Sequence, residues 1–112
     1  MNISKHKFKH SFSIYVPILD NQKQNLDEAK KEICQYLGKK FDGFTQTVCS
    51  GVWRAPESGT IFEDKCNIFT VATDFSNPHF YVNQLLKICF IKTDQSAIFY
   101  ILDGVSYLAK RG

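Results

Sequence analysis

The chain has 112 residues and a formal net charge of +3, from 14 basic and 11 acidic side chains. With 44% hydrophobic and 14% aromatic residues, it has the material for one globular, soluble domain. Lys5, Lys7 and Lys9 carry the excess charge, which leaves the remainder balanced and argues against a broad nucleic-acid surface. No apolar run is long enough for a membrane span, and no signal-peptide core follows the basic N-terminus, so we expect a cytoplasmic protein.

The first half of the domain predicts a strand followed by a helix. Residues 1–7 are expected to form a flexible basic arm, and residues 8–112 a single domain. Apolar residues alternate over residues 8–18, which is typical of a strand with one buried face. Asn25, with Glu28 as its capping-box partner, then opens an amphipathic helix that extends to Phe41.

The second half predicts a hairpin, a second helix and a last strand. Residues 44–53 and 60–73 are extended segments around a Pro/Gly turn, which indicates an antiparallel hairpin. Asn77 and Pro78 supply an N-cap and a first-turn proline for the next helix. Residues 97–102 then form a strand.

The order of these elements predicts the fold class. Asp103 and Gly104 close the last predicted strand, and the tail after Leu108 is polar. Strand, helix, strand, strand, helix, strand is the α+β order of the ferredoxin-like βαββαβ layer. We therefore expect a four-stranded antiparallel sheet with both helices on one face.

The face without helices is too apolar to be left in water. Phe99 and Tyr100 lie on opposite sides of the last strand, and the third strand is similarly apolar on both sides. We therefore expect a homo-oligomer, either a dimer that packs sheet against sheet or a trimer that joins edges. A ligand, a base or a partner protein is the alternative cover.

Candidate binding residues surround the predicted hairpin. Trp53 and Arg54 end its first strand, and Glu63 lies near the start of the second. An indole stacks on rings, a guanidinium binds phosphate or carboxylate, and a glutamate accepts hydrogen bonds from a ribose or a base. A cross-strand ion pair and a packed indole are the structural alternative. Tyr15 is placed on the open face, where it would stack on a base.

Cysteine and histidine spacing indicates no metal centre and no cofactor. The chain has no CxxC pair and no helical histidine pair, so its cysteines are expected to be free thiols that pack as small hydrophobes. These cysteines are Cys34, Cys49, Cys66 and Cys89.

The stretch of residues 41–73 resembles small bacterial and phage proteins with the pattern F-G-G-x-T, G-x-W and Glu-Asp. Asp42 replaces the first glycine, and Phe44 is additional. The matching positions are Phe41, Gly43, Thr45, Gly51, Trp53, Glu63 and Asp64. The hairpin is also similar to that of CutA-type, PII-like proteins. This resemblance implies a ferredoxin-like trimer linked with metal tolerance or small-ligand signalling.

The leading interpretation is a non-enzymatic, oligomeric ferredoxin-like module that binds a small ligand, a nucleotide or a partner protein near Trp53 and Glu63. One alternative is a small dimeric α/β-barrel enzyme, with a pocket between sheets and acid-base chemistry from His79, Cys49 or Glu63. The other is a nucleic-acid binder similar to the RNA-recognition motif, using Tyr15 and the basic arm.

Overall fold

The computed structural model describes residues 1–19, 25–54 and 56–112. Its elements, in chain order, are β1 (His10–Pro17), α1 (Asp27–Lys40), β2 (Thr45–Arg54), β3 (Ile61–Thr73), α2 (Pro78–Lys92), β4 (Ala97–Leu102) and β5 (Val105–Lys110). The polar run of residues 20–24 and Ala55 of the predicted turn lie outside the described residues. Within the described ranges, neither helix has the length and apolar character to cross a membrane.

One sheet contains five antiparallel strands in the order β2-β3-β1-β4-β5. The prediction of a four-stranded ferredoxin-like sheet is therefore wrong. The added strand, β5, pairs with β4 along its whole length. Asp103 has a φ of 51° and Gly104 a φ of 80°, so this pair forms the centre of a hairpin turn and does not end the sheet. The described residues form an α+β fold with five strands and two helices.

The core lies between the two helices and one face of the sheet. Alternate residues of β1, β3 and β4 point to the helices, and the apolar stripes of α1 and α2 pack on them. The largest fully buried side chains are Phe12, Ile14, Val16, Ile33, Leu37, Phe69, Val71, Val82, Leu85, Cys89 and Ile98. Asn77 begins α2 as predicted, because its side chain accepts a hydrogen bond from the backbone N–H of Phe80.

The β2–β3 hairpin projects beyond the rest of the sheet. β1 ends at Pro17, opposite Cys66, and the N–H of Ile18 still donates to the carbonyl of Lys65. Residues 51–54 and 61–64 continue as a two-stranded segment, called the ribbon below. The molecule is elongated, with extents of 55 × 29 × 26 Å.

Candidate functional site

A groove opens where β3 runs past the start of β2. β2 begins at Thr45, opposite Thr70, whereas β3 stays paired with β1 as far as Thr73. The space beside these last residues has a volume of about 690 Å³ and is called the Phe-lined groove below. It is lined by Phe8, residues 41–45, Thr70 and residues 72–75.

Aromatic rings form much of the wall of the Phe-lined groove. Phe41 is buried, and its ring centroid lies 5.4 Å from that of Phe75 and 5.2 Å from that of Tyr81. Phe75 and Tyr81 stack on each other at 5.2 Å. Phe8 and Phe75 keep 51% and 41% of their surface exposed, so part of each ring is free to contact a ligand. Rings fixed in this way favour a flat aromatic ligand.

Two carboxylates line the same groove. Asp42 is exposed, and Asp74 accepts a hydrogen bond of 2.9 Å from the backbone N–H of Lys9. His6 Nε2 lies 2.7 Å from Asp74 Oδ2. The Lys9 N–H first, and the His6 side chain second, lower the pKa of Asp74 below its ordinary value. Through these two contacts, Asp74 holds the N-terminal segment that carries Phe8 beside the groove.

The predicted hairpin residues do not form one cluster. Trp53 stacks on Phe62 with ring centroids 4.6 Å apart, and its indole Nε1–H donates to Asp64 at 2.9 Å. Arg54 and Glu63 occupy the alternate register positions, whose side chains point to the other face of the ribbon. The structure thus joins Trp53 to Asp64, which is not one of the predicted binding residues, and places Arg54 and Glu63 on the opposite face of the ribbon.

Tyr15 lies on the open face of the sheet, away from the ribbon. Its ring meets that of Phe99 edge to face at 5.0 Å. On β3, Tyr15 is opposite Ile68 and Trp53 is opposite Phe62. Ile68 and Phe62 are six residues apart along the strand, so about 20 Å along the strand direction separates Tyr15 from Trp53. No single small ligand contacts both aromatic residues.

The acid-base groups of the alternative enzyme interpretation are also apart. Cys49 lies on β2, and the ring of His79 contacts Tyr107 on β5. These strands are opposite edges of the sheet. Among residues 1–19, 25–54 and 56–112, no group of three or more His, Cys, Asp or Glu side chains is arranged to hold a metal ion.

Sequence reasoning missed the Phe-lined groove because its residues come from separate segments. In the sequence analysis, Asp42 is only the residue that replaces the first glycine of a motif, and Phe44 is only an added residue of that motif at the start of a predicted strand. Asp74 and Phe75 lie between β3 and α2, where no pattern marks a site. The available signal was that an aspartate and a phenylalanine recur together in two loops that meet at one end of the sheet.

Comparisons with known proteins give a likeness of fold. No protein-family model matches the chain, and no curated protein matches it. A phage SAM lyase solved in complex with S-methyl-5′-thioadenosine is similar, with a TM-score of 0.75 and 13% identity over 99% of this chain and 97% of that chain. A phage SAM lyase in the apo state has a TM-score of 0.72, with the same identity and coverage.

Proposed function

We propose that this chain is a lyase that acts on S-adenosylmethionine (SAM) or a related sulfonium nucleoside, and that the Phe-lined groove binds the thioadenosine part. The likeness to phage SAM lyase over 99% of the chain supports an enzyme over a non-enzymatic module. The observation that carries the proposal is the groove, because it combines partly exposed aromatic rings with two carboxylates in one cavity.

The size and chemistry of the groove suit a nucleoside. Its volume of about 690 Å³ lies within the usual range for small-molecule sites. Phe8 and Phe75 offer ring surface on which adenine stacks. Asp42 and Asp74 accept hydrogen bonds from ribose hydroxyls or from the ammonium group of the amino acid.

The phenylalanine rings of the groove suit a reaction in which the substrate loses a positive charge. Conversion of SAM into S-methyl-5′-thioadenosine breaks the bond between sulfur and the methionine Cγ, and the sulfur keeps both electrons of that bond. The carboxylate of the same molecule attacks Cγ and forms the new C–O bond, so that the amino-acid part leaves as a five-membered lactone. The sulfur therefore changes from a cation to a neutral thioether. Because an apolar environment disfavours a charge, phenylalanine rings near the sulfur favour the transition state and product over the charged substrate.

Turnover is tested by incubating the purified protein with SAM and measuring S-methyl-5′-thioadenosine by mass spectrometry. We expect formation of this nucleoside, and a loss of about tenfold or more in kcat/KM for Asp42→Asn and Phe8→Ala. Glu57→Gln, an exposed carboxylate change in the hairpin turn, is the matched control and should retain full activity. Absence of product, or equal rates in all variants, contradicts the proposal.

A second candidate function keeps a binding surface at the ribbon. Trp53 is 51% exposed, and its indole is fixed by Phe62 and Asp64, which makes a rigid aromatic plate. Trp53→Ala would abolish partner binding here while leaving SAM turnover unchanged. Loss of turnover in Trp53→Ala, with an intact fold, would contradict separate roles for the ribbon and the groove.

Self-association remains part of the proposal. Tyr15 and Phe99 form an aromatic pair on the helix-free face, and Leu108 on β5 is 57% exposed. Apolar surface of this kind favours burial against further copies of the chain. Light scattering should show a dimer or trimer that Phe99→Ser weakens, and a wild-type monomer at high concentration would contradict it.

A further inference from the structure

Two cysteines face each other across the β2–β3 hairpin. Cys49 is directly opposite Cys66 in the antiparallel register, so both side chains lie on the same face of the sheet. Directly opposed residues of antiparallel strands have Cα atoms about 4.5–5.5 Å apart, and a disulfide requires about 4.4–6.8 Å. Both thiols are free and half-buried in this structure. The two distance ranges overlap, so the register of the hairpin is compatible with a disulfide between Cys49 and Cys66.

The other two cysteines lie elsewhere. Cys34 is on α1, and Cys89 is fully buried on α2. Burial raises the pKa of Cys89 to about 12, which keeps it protonated and unreactive. Burial first, and then the neighbouring Cys49 and Asp64, raise the pKa of Cys66 to about 11. Cys49 is accordingly the attacking thiol of the opposed pair.

We propose that Cys49 and Cys66 form a redox site in which a reversible disulfide fastens the hairpin at the base of the ribbon. The oxidant is a low-molecular-weight disulfide. The Cys49 thiolate attacks one of its sulfurs, which forms a mixed disulfide and expels one thiolate. Cys66 gives up its proton and attacks the Cys49 sulfur, which expels the second thiolate. Two protein thiols are oxidised, and the small disulfide is reduced to two thiols that take up the two protons.

The position of the pair gives the disulfide a structural effect. Cys66 is opposite Pro17, the last residue of β1. The cysteine pair therefore lies where β1 ends and no longer pairs with the hairpin. A two-stranded segment is marginally stable by itself. A covalent bond at the base of the ribbon fixes the pairing register of its two strands. It thereby also fixes the position of Trp53, which lies on the same face as Cys49. This inference is independent of the proposed lyase activity.

The test is oxidation of the full-length protein with glutathione disulfide, followed by denaturation, alkylation of free thiols and digestion with trypsin. Cleavage after lysine and arginine places each cysteine in a separate peptide. We expect the intact mass to fall by two hydrogens and residues 41–54 to be joined to residues 66–87. A reducing agent should restore both the mass and the separate peptides.

Control variants separate this pair from general thiol reactivity. Cys66→Ser should stop at a stable glutathione adduct on Cys49, and Cys34→Ser should form the disulfide as the wild type does. The oxidised protein should melt above the reduced one and show altered fluorescence of Trp53, the sole tryptophan. An intramolecular bond between other cysteines, a persistent adduct in the wild type, a protein that stays reduced or a lower melting temperature on oxidation would overturn the proposal.

Discussion

Replacing Gly104 by alanine should destabilise the protein through the backbone of the β4–β5 turn alone. Gly104 has a φ of 80°, in the region that side chains disfavour. A Cβ built there meets no atom within 4 Å, so no steric clash contributes. The expected cost is about 1–2 kcal/mol for one residue held in the left-handed region. For a domain of this size, that cost lowers the melting temperature by about 4–10 °C.

Gly38 in α1 provides a control with the opposite sign. The space around its Cβ position is also open, but its backbone is helical. Gly38→Ala should therefore raise the free energy of unfolding by up to about 1 kcal/mol. Urea denaturation followed by circular dichroism measures both variants. A Gly104→Ala protein as stable as the wild type, or equal shifts in both variants, would refute the turn geometry and with it the fifth strand.

Three further variants and one control test the helix cap, the acid dependence and the core. Asn77→Ala should lower the free energy of unfolding in urea by about 1 kcal/mol, because α2 loses its side-chain cap. The His10 side chain first, and the backbone N–H of Ser11 second, lower the pKa of Asp103 in the folded protein. The ionised Asp103 therefore stabilises the fold above the ordinary aspartate pKa of about 3.9. This stabilisation is lost as the pH falls through the lower pKa of the folded state. Asp103→Asn should therefore lose stability less steeply than the wild type below about pH 4, and equal slopes in acid titrations would count against this pair. Leu85→Ala should cost about 2–5 kcal/mol, while Ile91→Ala on the exposed side of the same helix should cost little by thermal denaturation.

Most of the elements could be predicted because their apolar periods are regular. The strand predicted at residues 97–102 matches β4, and the other predicted elements overlap those observed. The N-cap of α1 differs, because the cap residue is Leu26 and Asn25 instead accepts a hydrogen bond from the backbone N–H of Asp27. The spacing of the apolar residues therefore located the helix, whereas local hydrogen bonds determine its first residue.

β5 was missed because Asp103 and Gly104 have two interpretations. An Asp-Gly pair ends a strand, and it also supplies the two positive φ values of a tight hairpin turn. The alternation of Val105, Tyr107 and Ala109 was the signal for the second interpretation, since Tyr107 stacks on Tyr100 at 4.9 Å. Because the residues after Leu108 are polar, this short edge strand was interpreted as a tail outside the sheet.

The site was less predictable than the fold. The hairpin was placed correctly, but the prediction grouped Trp53 and Arg54 because they are neighbours in sequence. Alternation along β2 puts their side chains on opposite faces. The Phe-lined groove needs the N-terminal segment and two loops to meet. Such a meeting depends on strand order, and no single segment of the sequence encodes it.

Calorimetric titration with S-methyl-5′-thioadenosine tests the central claim most directly, because it measures binding without turnover. Wild type, Asp42→Asn in the Phe-lined groove and Trp53→Ala on the ribbon are compared under the same conditions. We expect the wild type to bind, Asp42→Asn to bind about tenfold more weakly or worse, and Trp53→Ala to bind as the wild type does. No binding by the wild type, or loss of binding in Trp53→Ala with Asp42→Asn unaffected, would contradict a thioadenosine site in the groove.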